Sequence, residues 1–184
     1  MKAIAIWHSD IKTKQSISNS PLEGFVSFIQ NSIDSPVLVK VYLSGIPEGA
    51  HGFHIHEKGM EEIEDCDDVF DCCDKLGGHF NIGEKWSPLT PGGTKHGNHT
   101  GDLCFNIHSA GGIIDAEFFD QNISLYKAHP GCVINRSLVI HEDEDDQGKG
   151  IYRDEEKNKQ SLITGNAGKR IACGQICIVP ESKN

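Results

Sequence analysis

The sequence predicts an all-β protein, a sandwich or barrel of short antiparallel strands. Short apolar runs with a period of two recur along the chain, at 3–7, 24–29, 37–43, 52–56, 137–141 and 171–179. Each run is flanked by Gly, Pro, Asn, Asp or Ser, the residues that form turns. No window of helical length keeps apolar residues at i, i+3 and i+4. Many short strands with long glycine-rich connections are typical of a sandwich or barrel.

The 184 residues show no internal repeat and no linker, so we expect a single domain spanning residues 1–184. Two connections are unusually long for a compact domain, at 57–78 and 142–163. The first is rich in carboxylates, and it lacks the spacing of glycine and ligands found in calcium-binding loops. A solvated surface loop is therefore its simplest interpretation.

Composition and charge exclude several classes of protein. Asp and Glu number 27 against 17 Lys and Arg, a formal charge of −10, which disfavours a nucleic-acid partner. No apolar stretch approaches the roughly 20 residues of a membrane helix, so no membrane partner is expected. The N-terminal run before His8 is too short for a signal peptide, which predicts a cytoplasmic protein. In a cytoplasmic chain the Asn-x-Ser/Thr triplets at Asn98, Asn122 and Asn135 carry no meaning.

Cysteine and histidine are the informative residue types. The seven cysteines cannot all pair within the chain, and a dense disulfide framework is not expected. The ten histidines indicate a metal site, because imidazole is the commonest protein ligand for metals.

The order of the histidines sharpens that expectation. His54 and His56 are two positions apart in a predicted strand, so both side chains lie on one face and can reach one ion. Further candidate ligands follow along the chain, namely His79, His96, His99, Asp102 and His141. Six imidazoles and one carboxylate exceed the needs of one metal. They suit two adjacent four-coordinate metals that share one histidine.

Five motifs in order carry a resemblance to a known family. They are Gly-Phe-His-Ile-His-Glu at 52–57, Gly-His-Phe-Asn at 78–81, His-Thr-Gly-Asp-Leu at 99–103, Asn-Arg-Ser-Leu-Val-Ile-His-Glu at 135–142 and Thr-Gly-Asn-Ala-Gly-Lys-Arg-Ile-Ala-Cys-Gly at 164–174. From about Gly24 to Ile178 the chain resembles the copper–zinc superoxide dismutases. The resemblance implies an eight-stranded antiparallel Greek-key β-barrel, an immunoglobulin-like sandwich with long metal-binding and electrostatic loops. It also implies a homodimer.

The resemblance further implies an antioxidant enzyme that converts superoxide to dioxygen and hydrogen peroxide on a histidine-bound copper. The family's copper ligands match His54, His56, His79 and His141, and its zinc ligands match His79, His96, His99 and Asp102. His79 and Arg170 match the catalytic residues, where the arginine guides the superoxide anion. Asp145 matches a carboxylate that orients one ligand of each metal. Cys73 and Cys173 match the intramolecular disulfide, with the adjacent Cys72 as an alternative partner.

Two departures from the family pattern are visible. Only two residues separate His96 from His99, a shorter spacing than the family shows between these zinc ligands. Ile163 stands where the family often has a lysine before Thr-Gly-Asn, and Lys157 or Lys159 are candidates to replace its charge.

Other functions are compatible with parts of the pattern. One is a non-catalytic dismutase-like module that binds zinc alone or delivers copper, and another is metal storage by the acidic loop. A binding module predicts missing copper ligands or a missing channel arginine, whereas His54, His56, His79, His141 and Arg170 are all present. The enzyme is therefore favoured, with a copper chaperone as a possible partner.

Overall fold

The computed structural model describes residues 1–7, 22–64, 69–82 and 99–180. Eight strands account for most of this part of the chain. They are β1 (Lys2–Trp7), β2 (Glu23–Ile29), β3 (Val37–Ser44), β4 (Gly49–His56), β5 (Asn106–Ser109), β6 (Ile113–Asp120), β7 (Ser137–His141) and β8 (Arg170–Ile178).

The strands form one antiparallel sheet in the order β5-β4-β7-β8-β1-β2-β3-β6. Its two edge strands, β5 and β6, follow each other in sequence and are joined by a tight turn where Ala110 bridges to Ile113. The sheet is therefore a nearly closed barrel. In it β3 is bonded to β6 and β4 to β7, as Greek-key connections require. The predicted all-β barrel is confirmed.

The barrel interior is filled by alternate residues of the strands. In β3 the residues Val37, Val39, Val41 and Leu43 are buried, and the residues between them are more exposed. This alternation is the pattern that identified the strand in the sequence. The six runs predicted as strands correspond to β1, β2, β3, β4, β7 and β8, whereas β5 and β6 were not predicted.

Strands β4 and β7 are buried on both faces. Phe53 and Ile55 of β4 and Leu138 and Ile140 of β7 belong to the barrel core. On the opposite face, Val139 packs in a second cluster whose buried members are Met60, Cys73, Leu76 and Cys173. The two long connections therefore cover the outside of the barrel here, and the outward-facing side chains of β4 and β7 are shielded from water.

Two helices occur where the sequence indicated none, α1 (Val69–Asp74) and α2 (Glu155–Thr164). Asp154 caps α2 by accepting a hydrogen bond from the backbone N–H of Lys157, and Gly165 ends the helix in the left-handed conformation at φ 68°. Ser161 is the one buried residue of α2, so the helix has no apolar stripe to reveal it. Within the described ranges, neither helix has the length and apolar character needed to cross a membrane.

Candidate metal centre

The outer face of β4 and β7 carries three of the predicted ligands. His54 and His56 alternate with the core residues Phe53 and Ile55, so both imidazoles leave the strand on the loop-covered side. At the end of β7 the pairing shifts between Ile140 and His141. The shift places His141 opposite Arg170, consistent with the tendency of β-bulges to redirect side chains beside functional sites.

His79 completes a group of four histidines. One ring nitrogen from each of His54, His56, His79 and His141 lies within 4.8 Å of the others, and all four residues are buried. The His79 ring centroid is 4.0 Å from that of His54 and 5.1 Å from that of His56. A compact set of four nitrogen donors is suited to a copper ion.

Nε2 of His56 and Nε2 of His141 are buried and have no hydrogen-bond partner in the described part of the chain. The other nitrogen of each ring is bound to backbone. His56 Nδ1 lies 3.0 Å from the Gly77 carbonyl oxygen, and His141 Nδ1 lies 3.2 Å from that of Gly168. These carbonyls fix each ring with its Nε2 toward the group, so the buried donors fit a metal ion.

His79 also belongs to a second group. Its Nδ1 lies 2.7 Å from Asp102 Oδ1, and His99 Nδ1 lies 3.2 Å from the same oxygen. The ligand atoms of His79, His99 and Asp102 fall within 4.8 Å of one another. Two nitrogens and an anionic oxygen are suited to zinc. His96, the fourth residue predicted here, lies outside the described residues.

Asp145 is buried and contacts the group of four histidines. Its Oδ2 is 2.6 Å from His54 Nε2, and its Oδ1 accepts a hydrogen bond of 2.6 Å from the backbone N–H of Gln147. A carboxylate in this position orients the imidazole and holds its tautomer.

Asn106 is a residue that sequence reasoning missed. Its side chain donates to the Asp145 carbonyl oxygen at 2.9 Å and accepts from the Asp145 backbone N–H at 2.8 Å. Asn106 begins β5 and pairs with Gly52, two residues before His54. It therefore fixes Asp145 relative to the strand that carries His54. The only sequence signal is its position four residues after Asp102.

Arg170 is held by the C-terminal end of α1 and the residues that follow it. Its guanidinium donates to the carbonyl oxygens of Cys73 and Gly77, each at 2.6 Å. The Gly77 carbonyl is also the contact of His56 Nδ1. One backbone oxygen thus fixes both the arginine and a histidine of the four-nitrogen group.

A disulfide between Cys73 and Cys173 fastens this segment to β8. The predicted pairing is confirmed, and the alternative pairing through Cys72 is wrong. Cys72 is also disulfide-bonded, which the sequence did not indicate. Since Cys173 follows Arg170 by three residues, the disulfide and the Arg170 hydrogen bonds hold the same two segments together.

A pocket of about 600 Å³ opens onto the site. Its lining includes His56, His79, His99 and His141 from the two ligand groups, with Arg170 and Glu57 beside them. Helix α2 contributes only uncharged residues, Gln160, Ile163 and Thr164. Neither Lys157 nor Lys159 lines the pocket, and the Lys157 ammonium lies 4.4 Å from the centre of the Tyr152 ring.

Burial keeps His56 and His141 neutral. Burial lowers the pKa of His56 well below its ordinary value, and the neighbouring His79, Arg170 and His141 lower it further. Burial and then His54 lower the pKa of His141 to about 3. Neutral imidazoles offer lone pairs to a metal without first losing a proton.

Comparison with known proteins agrees with this geometry. Residues 22–176 match the family model described as "Copper/zinc superoxide dismutase (SODC)". The chain belongs to the copper/zinc superoxide dismutase family. Copper and zinc are therefore its cofactors, in agreement with the two ligand groups.

Individual relatives extend over most of the chain. It is 42% identical over 161 residues to "Extracellular superoxide dismutase [Cu-Zn]" of Drosophila melanogaster, covering 87% of this chain and 78% of that protein. It is 35% identical over 177 residues to a protein of the same name from Brugia pahangi, covering 96% and 75%. A crystal structure of the clock protein EA4 is 33% identical, with a TM-score of 0.70 and coverage of 97% of this chain and 94% of that one.

The cytoplasmic location predicted from the sequence is wrong. Both curated relatives are named extracellular. The prediction depended on the residues before His8, which do not determine the compartment of the protein. The disulfides of Cys72 and Cys73 are also typical of an oxidising compartment.

Removal of the disulfide tests its link to Arg170. We expect Cys73→Ser/Cys173→Ser to lose about 4.7 kcal/mol of unfolding free energy, the chain-entropy value for a loop of 100 residues. Dismutase activity per bound copper should also fall, because the segment that anchors Arg170 is released. Urea unfolding and metal-normalised rates measure the two effects. The free Cys177 provides the matched control Cys177→Ser, and unchanged activity per copper in the double variant would contradict the link.

The lowered histidine pKa values predict an acid-sensitive apoprotein. His141 has a pKa of about 3 when folded, below the ordinary 6.5, so the folded chain binds fewer protons between these values. The contribution of His141 to the free energy of unfolding is therefore fully present above pH 6.5, and it decreases toward pH 3 by about 1.4 kcal/mol per pH unit. Unfolding of the metal-free protein from pH 7 to 4 should show a shallower slope in His141→Gln than in wild type. Parallel slopes would contradict the assignment, and His108→Gln, at an exposed position, serves as the control.

Proposed function

We propose that this superoxide dismutase disproportionates superoxide at the pocket beside Arg170. Two superoxide anions and two protons give one dioxygen and one hydrogen peroxide. The observation that carries the proposal is the buried group of His54, His56, His79 and His141, which brings one ring nitrogen of each residue within 4.8 Å of the others. Four nitrogen donors beside an open pocket support redox chemistry on a small substrate.

We assign copper to His54, His56, His79 and His141, and zinc to His79, His99 and Asp102 together with His96. Bound copper would supply a one-electron couple for the oxidation of one superoxide and the reduction of the next, and His79 is common to the copper and zinc ligand sets. Asp145 and Asn106 are positioning residues, because they act through His54 and do not contact substrate.

His79 is the residue suited to carry a proton. Its Nδ1 lies 2.7 Å from Asp102 Oδ1, which leaves Nε2 on the side of the four-histidine group. His79 also lines the pocket, so Nε2 can take up a proton there and donate it to reduced superoxide. Asp102 keeps the ring in position through both steps.

Arg170 guides the anionic substrate into an acidic protein. The chain has a net charge of −10, yet a pocket can focus its own local field. Arg170 is the one Lys or Arg among the described residues that line this pocket. Its hydrogen bonds to the Cys73 and Gly77 carbonyls fix its direction.

Activity with defined metals is the first test of the function. Protein loaded with copper and zinc should dismutate superoxide rapidly at about one copper per chain, and a zinc-only sample should not. Pulse radiolysis measures the rate, and elemental analysis measures the metal content. Full copper occupancy without activity would overturn the proposal and favour the non-catalytic binding module.

Charge changes at the pocket rim test the guidance of substrate. Arg170→Ala should lower the low-salt rate about tenfold and weaken its salt dependence. Ile163→Lys should raise the low-salt rate and steepen that dependence, because Ile163 lines the same pocket and is half-exposed. Ile151→Lys is the matched control, since Ile151 is 77% exposed and does not line the pocket. Equal effects of the two lysines would contradict a local field.

We also propose that the chain is an extracellular, single-domain homodimer. The names of both relatives and the disulfides support the location. An apolar face supports self-association. It consists of the outward residues of β1 to β3, namely Ile4, Ile6, Phe25 and Tyr42, which are 36–50% exposed. Loading by a copper chaperone is part of the proposal, because the pocket leaves His56 and His141 reachable in the folded chain.

Light scattering tests the dimer. The expected mass is twice the 20.2 kDa of one chain, and Ile6→Arg should shift the protein toward the monomer by placing a charge in the apolar face. Ile151→Arg makes the same change at an exposed residue outside this face and should leave the mass unchanged. A wild-type mass of a single chain at micromolar concentration would contradict the proposal.

A further inference from the structure

The three Asn-x-Ser/Thr triplets are relevant in an extracellular protein. In a protein that passes through the secretory pathway, each such asparagine is a potential acceptor of an N-linked oligosaccharide. Asn98 lies outside the described residues. Asn122 and Asn135 are both described, and the structure distinguishes their surroundings.

Asn122 lies in the turn after β6. The Asp120 carboxylate shapes this turn, since its Oδ1 accepts the backbone N–H groups of Asn122 at 2.7 Å and Ile123 at 3.0 Å. The backbone is thereby satisfied without the Asn122 side chain. Within the described ranges the Asn122 amide makes no hydrogen bond, and it is not among the buried polar atoms that lack a partner. Its nitrogen is therefore in contact with water.

The third residue of the triplet, Ser124, is fully buried. Its hydroxyl donates to Gln30 Oε1 at 3.0 Å and accepts the Tyr126 backbone N–H at 3.2 Å. In the folded protein it anchors the turn to the barrel. Asn122 itself, two residues earlier, is partly exposed. The turn therefore holds Asn122, the acceptor residue, at the surface beside the buried and hydrogen-bonded Ser124.

Asn135 is also exposed, but it adjoins the proposed self-association face. Its backbone N–H donates to the Ile176 carbonyl at 2.9 Å, and Ile176 pairs with Ala5, which lies between Ile4 and Ile6. An oligosaccharide on Asn135 would stand beside the apolar face. Asn122 follows β6, whose last residue, Asp120, pairs with Val37, five positions before Tyr42 in β3. It is also absent from the pocket lining.

We propose that Asn122 is an N-glycosylation site, an inference that depends on the proposed extracellular location. The donor is an oligosaccharide linked to a lipid diphosphate. A bond forms between Asn122 Nδ2 and the anomeric carbon of the sugar while the bond from that carbon to the diphosphate oxygen breaks. The diphosphate leaves with the electron pair, Nδ2 loses one proton, and no oxidation or reduction occurs. At this site the sugar leaves both the metal pocket and the apolar face open.

Peptide mapping of the secreted protein tests the assignment. The chain is expressed behind a cleavable secretion leader in animal cells, and the purified protein is treated with peptide N-glycosidase F in ¹⁸O-labelled water. Cleavage before Asp120 and after Lys127 isolates a peptide that contains Asn122 without the other two triplets. Conversion of Asn122 to ¹⁸O-labelled aspartate is the expected result. An unmodified Asn122 in secreted protein overturns the proposal, even if Asn135 is labelled.

Three variants and one assay complete the design. Asn122→Gln should lose the mass of one oligosaccharide, and the matched control Asn135→Gln should keep the Asn122 label. Ser124→Thr retains the triplet and should keep the label. Dismutase rate per copper is measured on the same samples. An active protein with unmodified Asn122 overturns only the glycosylation, and an inactive, copper-loaded protein with labelled Asn122 overturns only the proposed reaction.

Discussion

Two buried imidazole nitrogens, Nε2 of His56 and Nε2 of His141, lack a hydrogen-bond partner in the described chain and constrain the whole site. A polar atom buried in this way costs about 1–3 kcal/mol unless a partner is supplied. The fold brings a ring nitrogen of each residue within 4.8 Å of the other, and burial keeps both rings neutral. Metal binding removes this cost, so the free energy of binding is coupled to the stability of the fold. The covering loops and the Arg170 anchor all maintain this arrangement.

The two long connections that cover the site are held in place by different interactions. The C-terminal end of α1 and the residues after it are tied to β8 covalently through Cys73 and through the hydrogen bonds of Arg170. The segment that carries α2 is instead organised around the Asp146 carboxylate, which accepts from the Ser161 hydroxyl at 2.8 Å and the Asn166 amide at 2.7 Å. The first loop contributes the backbone oxygens that hold His56 and Arg170, whereas the Gly168 carbonyl that holds His141 follows α2. The second contributes the uncharged rim of the pocket.

Much of the fold and of the candidate site could be predicted because strands and metal ligands leave local patterns. Alternation identified β3, and the spacing of His54 and His56 identified the face that carries both rings. Strand β6 escaped notice because Phe118 and Phe119 interrupt its alternation, and β5 has only four residues. Helix α2 was missed because its sequence has no apolar face, and capping by Asp154 and Gly165 was too weak a signal alone. Asn106 and the carbonyls that hold Arg170 are tertiary contacts, which no sequence period records.

The separation of the ligands along the chain has a consequence for the order of folding. His79, His99 and Asp102 span 23 residues, whereas His54 and His141 are brought together only when β4 pairs with β7. Closing a long loop costs more entropy than closing a short one, and distant pairings form slowly. We therefore expect the zinc-type group to assemble early from a local segment, while the copper-type group exists only after the barrel has closed. In this chain the zinc site can take part in folding, whereas the copper site forms only as a result of folding.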